Sequence, residues 1–380
     1  MNRPVKRIVL LGGYGNFGKR IAESLARVSG ITLMICGRNP ARAEKLCTQL
    51  RQQGAQAVLQ PVILDITSPV LHQKLKRLEP ELIIHTSGPF QGQDYRIAES
   101  CVELGCNYID LADDRRFVCD IRTLDEAAKK NGVSIISGAS SVPGLSSAVV
   151  DQLAEGLMAV EAIDFAIAPG NKAERGKATV EGILSYTGHP FRALQDGEWI
   201  DSFGWMSPRR LDFGGTIGKR WLANVDIPDL ELFPERYPEA ATVRFQAGLE
   251  LSFLHLTMVA MAWLARIGLV RNWQDMTDVV FQLGEHFRRF GSDAGAMRVE
   301  VTGKNEAGEL RVRRWTLIAE NGVGPYIPTL SAIILAQKLI RGEDMPKGAQ
   351  PCTGLYTLAE FDQLAESWGI YHNTEELAGS

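Results

Sequence analysis

Residues 7–18 read Arg-Ile-Val-Leu-Leu-Gly-Gly-Tyr-Gly-Asn-Phe-Gly, and this stretch decides the fold. The apolar run at residues 7–12 predicts a short buried strand, and its last glycine opens two overlapping patterns, Gly12-x-x-Gly15-x-x-Gly18 and Gly13-x-Gly15-x-x-Gly18. Apolar residues at helical spacing follow: Ile21, Ala22, Leu25 and Val28. A strand that passes through glycines into a helix is typical of a pyrophosphate-binding turn.

The physical reason lies in the glycines. One allows the tight turn, a second lets the backbone approach the pyrophosphate, and a third lets helix and strand pack closely. The phosphate then lies on unpaired N–H groups at the start of the helix. We therefore expect the whole turn to bind a dinucleotide: Gly12, Gly13, Tyr14, Gly15, Asn16, Phe17 and Gly18. The alternative is a glycine-rich turn without a ligand.

The end of the second predicted strand, Ile31–Cys36, indicates which dinucleotide. A site that prefers NAD carries an acid about 20 residues beyond the glycines, where it holds the ribose 2′-hydroxyl. This chain has Cys36-Gly37-Arg38-Asn39 instead, with Arg42 one helical turn on. A planar guanidinium suits a 2′-phosphate, so Arg38 favours NADP. The alternative is a solvated arginine at a strand end.

Further loops follow later strands and complete the predicted cofactor crevice, because ligands of open α/β sheets bind outside the carboxyl ends of the strands. Asp65 and Ile66 end the third strand, where the acid either reaches the adenine amino group or only stabilises a turn. Ser87, Gly88 and Pro89 end the fourth strand, and the glycine permits close approach near the nicotinamide ribose. Asp113 and Asp114 follow the fifth strand, and residues 140–144 follow the sixth.

Strands and helices alternate at short spacing through the first third of the chain, which predicts a parallel sheet covered by helices on both faces. The further strands expected are 57–64, 81–86, 107–111 and 133–137, and the helices are 40–51, 68–78, 94–104 and 120–130. After about residue 145 the pattern changes to short apolar runs with scattered aromatics, then a helical block near 247–290 and a hairpin-like pair at 297–302 and 310–319.

These patterns divide the chain into two predicted domains, as its 380 residues also suggest. Residues 1–145 with about 325–380 form the dinucleotide-binding domain. Residues 146–324 form an inserted α+β domain for substrate binding and dimerisation. The fold class is thus α/β, a doubly wound parallel sheet with an inserted α+β domain.

Composition excludes several classes of protein. The formal charge of −4, from 41 basic and 45 acidic residues, gives no nucleic-acid footprint. The cysteines and histidines show no metal-ligand spacing, so we expect no metal and a reducing compartment. Residues 1–6 lead into the first strand without signal-peptide features, and the apolar run 256–265 is too short to span a bilayer. We therefore expect a cytoplasmic protein without a membrane partner.

Several of these motifs occur in one order, and together they resemble the saccharopine dehydrogenase (saccharopine reductase) family. The quoted runs are Gly-Gly-Tyr-Gly-Asn-Phe-Gly, Cys-Gly-Arg-Asn, Gly-Pro-Phe, Cys-Asn-Tyr-Ile-Asp-Leu-Ala-Asp and Ser-Val-Pro-Gly, all within residues 7–150. Beyond them the resemblance is thin. It implies a Rossmann domain completed by C-terminal helices, an inserted domain that binds substrate and dimerises, and NADP-linked oxidoreduction. The substrate domain departs from that of the well-known reductases.

Candidate residues for substrate binding and proton transfer are chosen by the chemistry that each step requires. A carboxylate-bearing substrate needs bidentate cations in the second domain, and the candidates are Arg175, Lys177, Arg209 and Arg210. For each of them a solvated surface position is the alternative. Asp113 is the best-placed acid or base, with Asp114 next, and both could instead only cap a helix. His189, in a loop, is a further proton donor to consider.

Two alternative functions make different demands on the sequence: a short-chain dehydrogenase and a non-catalytic cofactor-binding protein. Short-chain dehydrogenases need Tyr-x-x-x-Lys, which the chain lacks; Asp125 and Lys129 have that spacing but are explained by a surface ion pair. The stronger alternative is a non-catalytic NADPH-binding sensor that contacts a protein partner, since no sharp proton-transfer motif is present.

The apolar run 256–265 and the segments 297–319 predict a homodimer built on the inserted domain. That helix could instead be internal to one subunit.

Overall fold

The computed structural model describes residues 6–378. Residues 1–5 lie outside the described residues. They include most of the N-terminal stretch for which we expected no signal peptide. The chain divides into two compact units, one formed by residues up to Leu145 with Tyr326–Tyr356, the other by Ser146–Pro325 with the chain from Thr357.

The first part of unit one alternates strands and helices, as its hydrophobic periodicity predicts. In chain order it contains β1 (Arg7–Leu11), α1 (Asn16–Leu25), β2 (Thr32–Gly37), α2 (Pro40–Gln52), β3 (Val58–Ile63), α3 (Leu71–Leu78), β4 (Leu82–His85), α4 (Arg96–Leu104), β5 (Asn107–Asp110), α5 (Arg115–Cys119), α6 (Asp125–Lys130) and β6 (Ser134–Ser137).

The chain then forms most of unit two, and after residue 325 it adds two elements to unit one and two more to unit two. Unit two contains α7 (Ser146–Ala154), β7 (Leu157–Ala168), α8 (Lys177–Tyr186), β8 (Pro190–Gln195), β9 (Glu198–Phe203), β10 (Arg209–Asp212), β11 (Lys219–Asn224), α9 (Asp229–Arg236), β12 (Thr242–Ala247), α10 (Ser252–Arg266), α11 (Thr277–Phe287), β13 (Gly295–Asn305) and β14 (Leu310–Ala319). The return supplies α12 (Ile327–Ile340), β15 (Gly348–Pro351), α13 (Leu358–Glu366) and β16 (Tyr371–Ala378).

Unit one is a seven-stranded sheet in the order β15-β6-β5-β4-β1-β2-β3, with every neighbouring pair parallel. The strand order reverses between β1 and β4, so the carboxyl ends of these two strands border the topological switch point at which such sheets bind ligands. In the central strands β1 and β4 every residue except Arg7 is buried, since helices cover both faces. The predicted doubly wound parallel sheet is confirmed.

One edge strand of this sheet was not predicted. β15 pairs in parallel with β6 and ends in Pro351, which cannot donate a ladder hydrogen bond and is tolerated because the strand lies at an edge. Its sequence, Gly-Ala-Gln-Pro, has neither alternation nor β-branched residues, so no hydrophobic pattern indicates a strand. Pairing with β6 overrides that weak local preference.

Unit two is built on a mixed sheet in the order β10-β11-β12-β7-β13-β14-β16. β12 and β7 are parallel, and the other pairs are antiparallel. The hairpin expected at 297–302 and 310–319 is present as β13 and β14, and the predicted second domain of mixed α+β type is confirmed. A separate two-stranded ribbon, β8-β9, belongs to the same unit.

A row of directly paired charged residues crosses the middle of this sheet. Arg244 lies opposite Asp164, Asp164 opposite Glu300, and Glu300 opposite Arg314. Glu375 of β16 faces Arg314 and binds it at 3.0 Å. The arginine–carboxylate pairs stabilise the strand register, whereas Asp164 and Glu300 are like charges that lie opposite each other and are each neutralised by an arginine on the outer side, Arg244 and Arg314.

The end of the chain differs from the expected division. We expected residues 325–380 to return to the first domain, but only α12 and β15 do so. α13 and β16 belong to unit two, because β16 pairs along its whole length with β14 as an edge strand of the mixed sheet. The strongly polar sequence of β16 gives no sign of this partner.

The apolar run at 256–265 lies within α10, whose two faces differ. His255, Met258, Val259 and Ala262 are buried within unit two, whereas Phe253 and other large apolar residues are exposed. Among residues 6–378, no helix is both long and apolar enough to cross a membrane.

Candidate functional site

The glycine turn after β1 is shaped by contacts that exclude side chains. Gly12 has a φ of +72°, and a Cβ there would lie 2.7 Å from Ser87 Oγ. A Cβ on Gly18 would lie 2.2 Å from the carbonyl oxygen of Gly12, so this glycine allows α1 to pack directly on the turn. A Cβ on Gly15 would meet only that same oxygen, at 3.0 Å, and the rest of its surroundings are open.

The start of α1 has the features of an anion site. Gly15 is the N-cap in an extended conformation, with no side-chain cap, and its N–H donates to Gly12 O at 2.8 Å. The first turn contains no acidic side chain. The positive end of the helix dipole therefore faces the open side of Gly15 without a competing carboxylate.

The end of β2 is covered by Tyr14 of the turn. Its ring packs on Gly37, where a Cβ would lie 2.3 Å from the ring, and its hydroxyl accepts the Asn39 N–H at 2.7 Å. The Arg42 guanidinium stacks on the same ring, 4.8 Å from its centroid. Arg38 is exposed and makes no hydrogen bond or ion pair to any residue between 6 and 378. The two arginines thus border the end of β2, one fixed and one available.

The loops after β3 and β4 have different internal structures. Asp65 accepts the N–H and hydroxyl of Thr67 at 3.0 and 2.8 Å, and these bonds lower the pKa of its carboxyl group. Ile66 beside it packs partly into the core. The loop Ser87-Gly88-Pro89 is held by Gln93, whose amide donates to Ser87 O at 2.9 Å and Pro89 O at 2.5 Å.

The two aspartates after β5, Asp113 and Asp114, have different hydrogen-bonding roles. Asp114 is the N-cap of α5 and accepts the Phe117 N–H at 2.8 Å, as the helix-capping alternative supposed. Among residues 6–378, the Asp113 side chain accepts a single long hydrogen bond, from the Gln91 amide at 3.5 Å. The side chain of Asp113 is exposed to solvent, yet neighbouring atoms crowd its carboxyl group. That desolvation, together with the charge of Asp114, raises the pKa of Asp113.

A buried polar cluster beneath these loops was not predicted. His85, the last residue of β4, is fully buried, contacts the Tyr108 hydroxyl at 3.1 Å and has its pKa lowered to about 4 by burial. Asp110, at the same level of β5, accepts bonds from Ala112 N, Gly138 N and the Ser137 hydroxyl at 2.8–3.0 Å. Burial raises the pKa of Asp110 to about 6. The only sequence signal is a polar residue ending an apolar strand.

Asp110 therefore connects two loops that border the expected site. Its bond to Ala112 holds the β5 loop that carries Asp113, and its bonds to Ser137 and Gly138 hold the start of the loop after β6.

The four predicted substrate cations do not form one cluster. Lys177, at the start of α8, binds Asp278 at 2.6 Å, and Arg175 donates to Gly170 O at 3.3 Å. Arg209 of β10 binds Asp164 at 2.5 Å, while its exposed neighbour Arg210 lies over the Trp221 ring. His189 lies in the loop between α8 and β8, and its N–H donates to Tyr186 O at 3.0 Å.

A parallel sheet with this strand order, and a glycine turn leading into a helix, define a dinucleotide-binding unit of the Rossmann type. Residues 8–136 match the family model described as the saccharopine dehydrogenase NADP binding domain. The resemblance seen in the sequence is therefore confirmed over this part of the chain.

Two individual proteins are also similar. A probable mitochondrial saccharopine dehydrogenase-like oxidoreductase of Arabidopsis thaliana is 26% identical over 153 residues, which is 37% of this chain and 33% of that protein. The match thus spans about a third of the plant relative. Apo saccharopine dehydrogenase (L-Glu forming) from Saccharomyces cerevisiae has the same fold, with a TM-score of 0.70 and 13% identity over 98% of this chain and 100% of that one.

Proposed function

We propose that the protein is an NADP-dependent oxidoreductase that transfers hydride to or from a small, carboxylate-bearing substrate such as an amino-acid derivative. The observation that carries this proposal is the open side of Gly15 at the uncapped start of α1, together with the unpaired Arg38 at the end of β2. The matched NADP binding domain and the oxidoreductase named among the relatives support it.

The residues present fit such a cofactor. A side chain at Gly15 would fill the space that a pyrophosphate needs, and Arg38 offers a free guanidinium to a 2′-phosphate. Asp65 keeps its charge because its pKa is lowered, and its second oxygen would accept from the adenine amino group. The cofactor supplies the hydride chemistry, and the protein supplies binding, orientation and electrostatics.

Hydride transfer to a carbonyl or imine carbon needs a proton as well, and we assign that proton to Asp113. The hydrogen bond from the Gln91 amide to its carboxyl group is long, and its raised pKa brings it nearer to the pH at which an acid or base works best. Asp114 is occupied as a helix cap, so it serves to orient the loop.

Cofactor binding followed by a turnover assay tests the proposal. NADPH fluorescence titration measures binding, and the loss of NADPH absorbance reports turnover with a panel of oxo-acids, each with and without an amino acid. Turnover that falls at least about tenfold in Asp113→Asn, with unchanged NADPH binding, supports the assigned role. Tight NADPH binding without turnover across the panel, together with a captured protein partner, would favour the non-catalytic sensor instead.

The proposal includes a cytoplasmic homodimer formed by unit two. The outward faces of α10 and α11, with the residue that follows α10, carry large exposed apolar residues at helical spacing: Phe253, Leu256, Ile267, Val279 and Leu283. An apolar surface of this extent is uncommon on a monomer. A two-fold contact between copies would bury it.

A further inference from the structure

Unit two contains a cavity of about 400 Å³ that its own strands and helix form. The ribbon β8-β9, the strands β10 to β12 and the helix α10 all contribute side chains to its lining. Its volume is within the range typical of small-molecule sites. The cavity lies outside residues 8–136, so the matched family model says nothing about it.

Arginines dominate the charge of this cavity. Arg209, Arg244 and Arg266 all line it. A single carboxylate, that of Asp164, serves two of them, at 2.5 Å from Arg209 and 3.4 Å from Arg244. Within the described residues, 6–378, Arg266 makes no ion pair.

Acidic side chains do not cancel this excess. Asp201 is the acid in the lining, and it is paired with Arg192 at 3.2 Å. Counting Asp164 and Asp201 against the lining arginines leaves positive charge that a bound anion would neutralise. An anion therefore gains more here than on an ordinary mixed-charge surface.

The free arginine is held in a defined orientation. The Arg266 guanidinium stacks on the Phe203 ring, 3.5 Å from its centroid. Stacking uses the face of the guanidinium and leaves the N–H groups at its edge directed sideways. A planar carboxylate binds that edge with two parallel hydrogen bonds.

The floor of the cavity is a fixed polar network. The amide of the buried Gln246 donates to Asn224 Oδ1 at 2.9 Å and to Ser207 O at 3.2 Å, while its oxygen accepts from Arg209. Asn224 in turn donates to the Ser202 hydroxyl at 2.8 Å. The side-chain amides of Gln246 and Asn224 are already hydrogen-bonded within this network, which also positions Arg209. The arginines are therefore the groups that remain to bind a ligand.

The remaining wall is apolar and partly exposed. Trp263 of α10 is 52% exposed, and Ile200 of β9 is 37% exposed. A flat hydrocarbon or aromatic surface would cover both side chains, and a tryptophan face contributes substantially to such contacts.

From this arrangement we propose that unit two binds a small organic carboxylate with a flat apolar body, its carboxylate on Arg266 and Arg244 and its body against Trp263. The ligand is either the substrate of the proposed reaction or a separate regulatory metabolite, since both present the same chemistry. Ligand binding at this cavity does not depend on the proposed oxidoreductase activity, because the cavity is lined only by residues of unit two and needs no bound cofactor.

Calorimetric titration of the full chain, without NADPH, tests the site. The probes are indole-3-acetate and 3-phenylpropanoate, and their neutral amides serve as matched ligands. We expect saturable binding of the acids, at least about tenfold weaker binding of the amides, and a similar loss in Arg266→Gln. Arg289→Gln is the control variant, since Arg289 also stacks on an aromatic ring but lies outside the cavity. It should change binding by less than about twofold.

Three results would overturn the proposal: no saturable binding of either acid, equal binding of acid and amide, or equal effects of the two arginine variants. Thermal melting of each variant checks that it is folded. Repeating the titration with NADPH present then separates the two ligand sources. A probe that competes with a turned-over substrate in the NADPH assay occupies the substrate position, whereas a probe that binds without competing marks a regulatory site. Failure of NADPH to bind would reject the proposed function and leave the cavity result intact.

Discussion

At the scale of single residues, Arg38 and Arg42 illustrate how neighbouring cations can have different uses. Arg42 is stacked on Tyr14, which itself holds the end of β2 through Asn39. Among residues 6–378, Arg38 makes no hydrogen bond or ion pair, although its charge helps to lower the pKa of Asp65, so its guanidinium is available to a ligand. The preference between the two nicotinamide dinucleotides therefore depends on Arg38 more than on Arg42.

We predict that the unmutated protein binds NADPH more tightly than NADH, and that Arg38→Asp weakens NADPH binding at least about tenfold. The substitution removes charge-assisted hydrogen bonds and places a negative charge beside a 2′-phosphate. Fluorescence titration with both cofactors measures the change. Arg271→Asp, at an exposed arginine of unit two, is the control and should leave both affinities unchanged. Equal affinity of the unmutated protein for both cofactors would contradict the assignment.

Asp110 gives a second prediction at this scale, one of pH dependence. Its pKa rises from an ordinary 3.8 to about 6 on folding, so the folded state holds a proton that the unfolded state has lost between those values. The stabilising contribution of the protonated carboxyl group is present below pH 4 and is lost as the pH rises through about 6. Asp110→Asn cannot titrate. Its stability relative to the unmutated protein should increase from pH 4 to pH 7, as urea unfolding would measure.

His85 provides the comparison, because its shift has the opposite sign. Its pKa falls from 6.5 to about 4 on folding, so the unfolded state binds the extra proton and the stability contribution of neutral His85 is lost as the pH falls through about 4. His85→Gln should therefore gain stability relative to the unmutated protein as the pH falls. Parallel slopes for the two variants would show that the buried cluster does not titrate as described.

At the scale of elements, the glycines of one turn have separate tasks that mutation should resolve. Gly15→Val should abolish NADPH binding while the protein remains folded, because its backbone is in an extended region open to any residue and its side chain would point into open space. Gly18→Val should instead destabilise the protein by about 3 kcal/mol or more, since its Cβ would overlap the Gly12 carbonyl. Melting curves and titrations of both variants distinguish binding from folding. Normal NADPH binding by Gly15→Val would remove the turn from the phosphate site.

The sequence predicted the elements whose periodicity is strong. The β1 turn, the helix at 40–51 and the hairpin of β13 and β14 were all expected, since buried apolar patterns are local signals. The strands β15 and β16 could not be predicted, because each is defined by a partner distant in sequence. The same limit explains the site. Asp114 could be recognised as a possible cap, but the contacts of Asp110, His85 and Arg266 depend on residues that are distant in sequence.

At the scale of the whole molecule, the exposed face of α10 and α11 predicts a dimer. Light scattering at micromolar concentration should give twice the chain mass of 41.8 kDa. Met258 is buried within unit two, so a charge there would disturb folding instead of testing an interface. Ile267→Glu and Leu283→Glu are the better substitutions and should yield a folded monomer that still binds NADPH. Leu310→Glu, at an exposed apolar residue of β14, is the control. A monomer mass for the unmutated protein would defeat the dimer.

The interleaved course of the chain has a consequence for biosynthesis. Each unit receives its last strand only after the chain has left the other unit: β15 completes the first sheet, and β16 completes the second. During translation the ribosome therefore releases β6 and β14 as temporary sheet edges, with β14 unpaired on one side until Tyr371–Ala378 emerges. Unprotected edges invite pairing with other chains. Ribosome-bound chains stopped before residue 371 should thus bind chaperones and aggregate more readily than chains released in full.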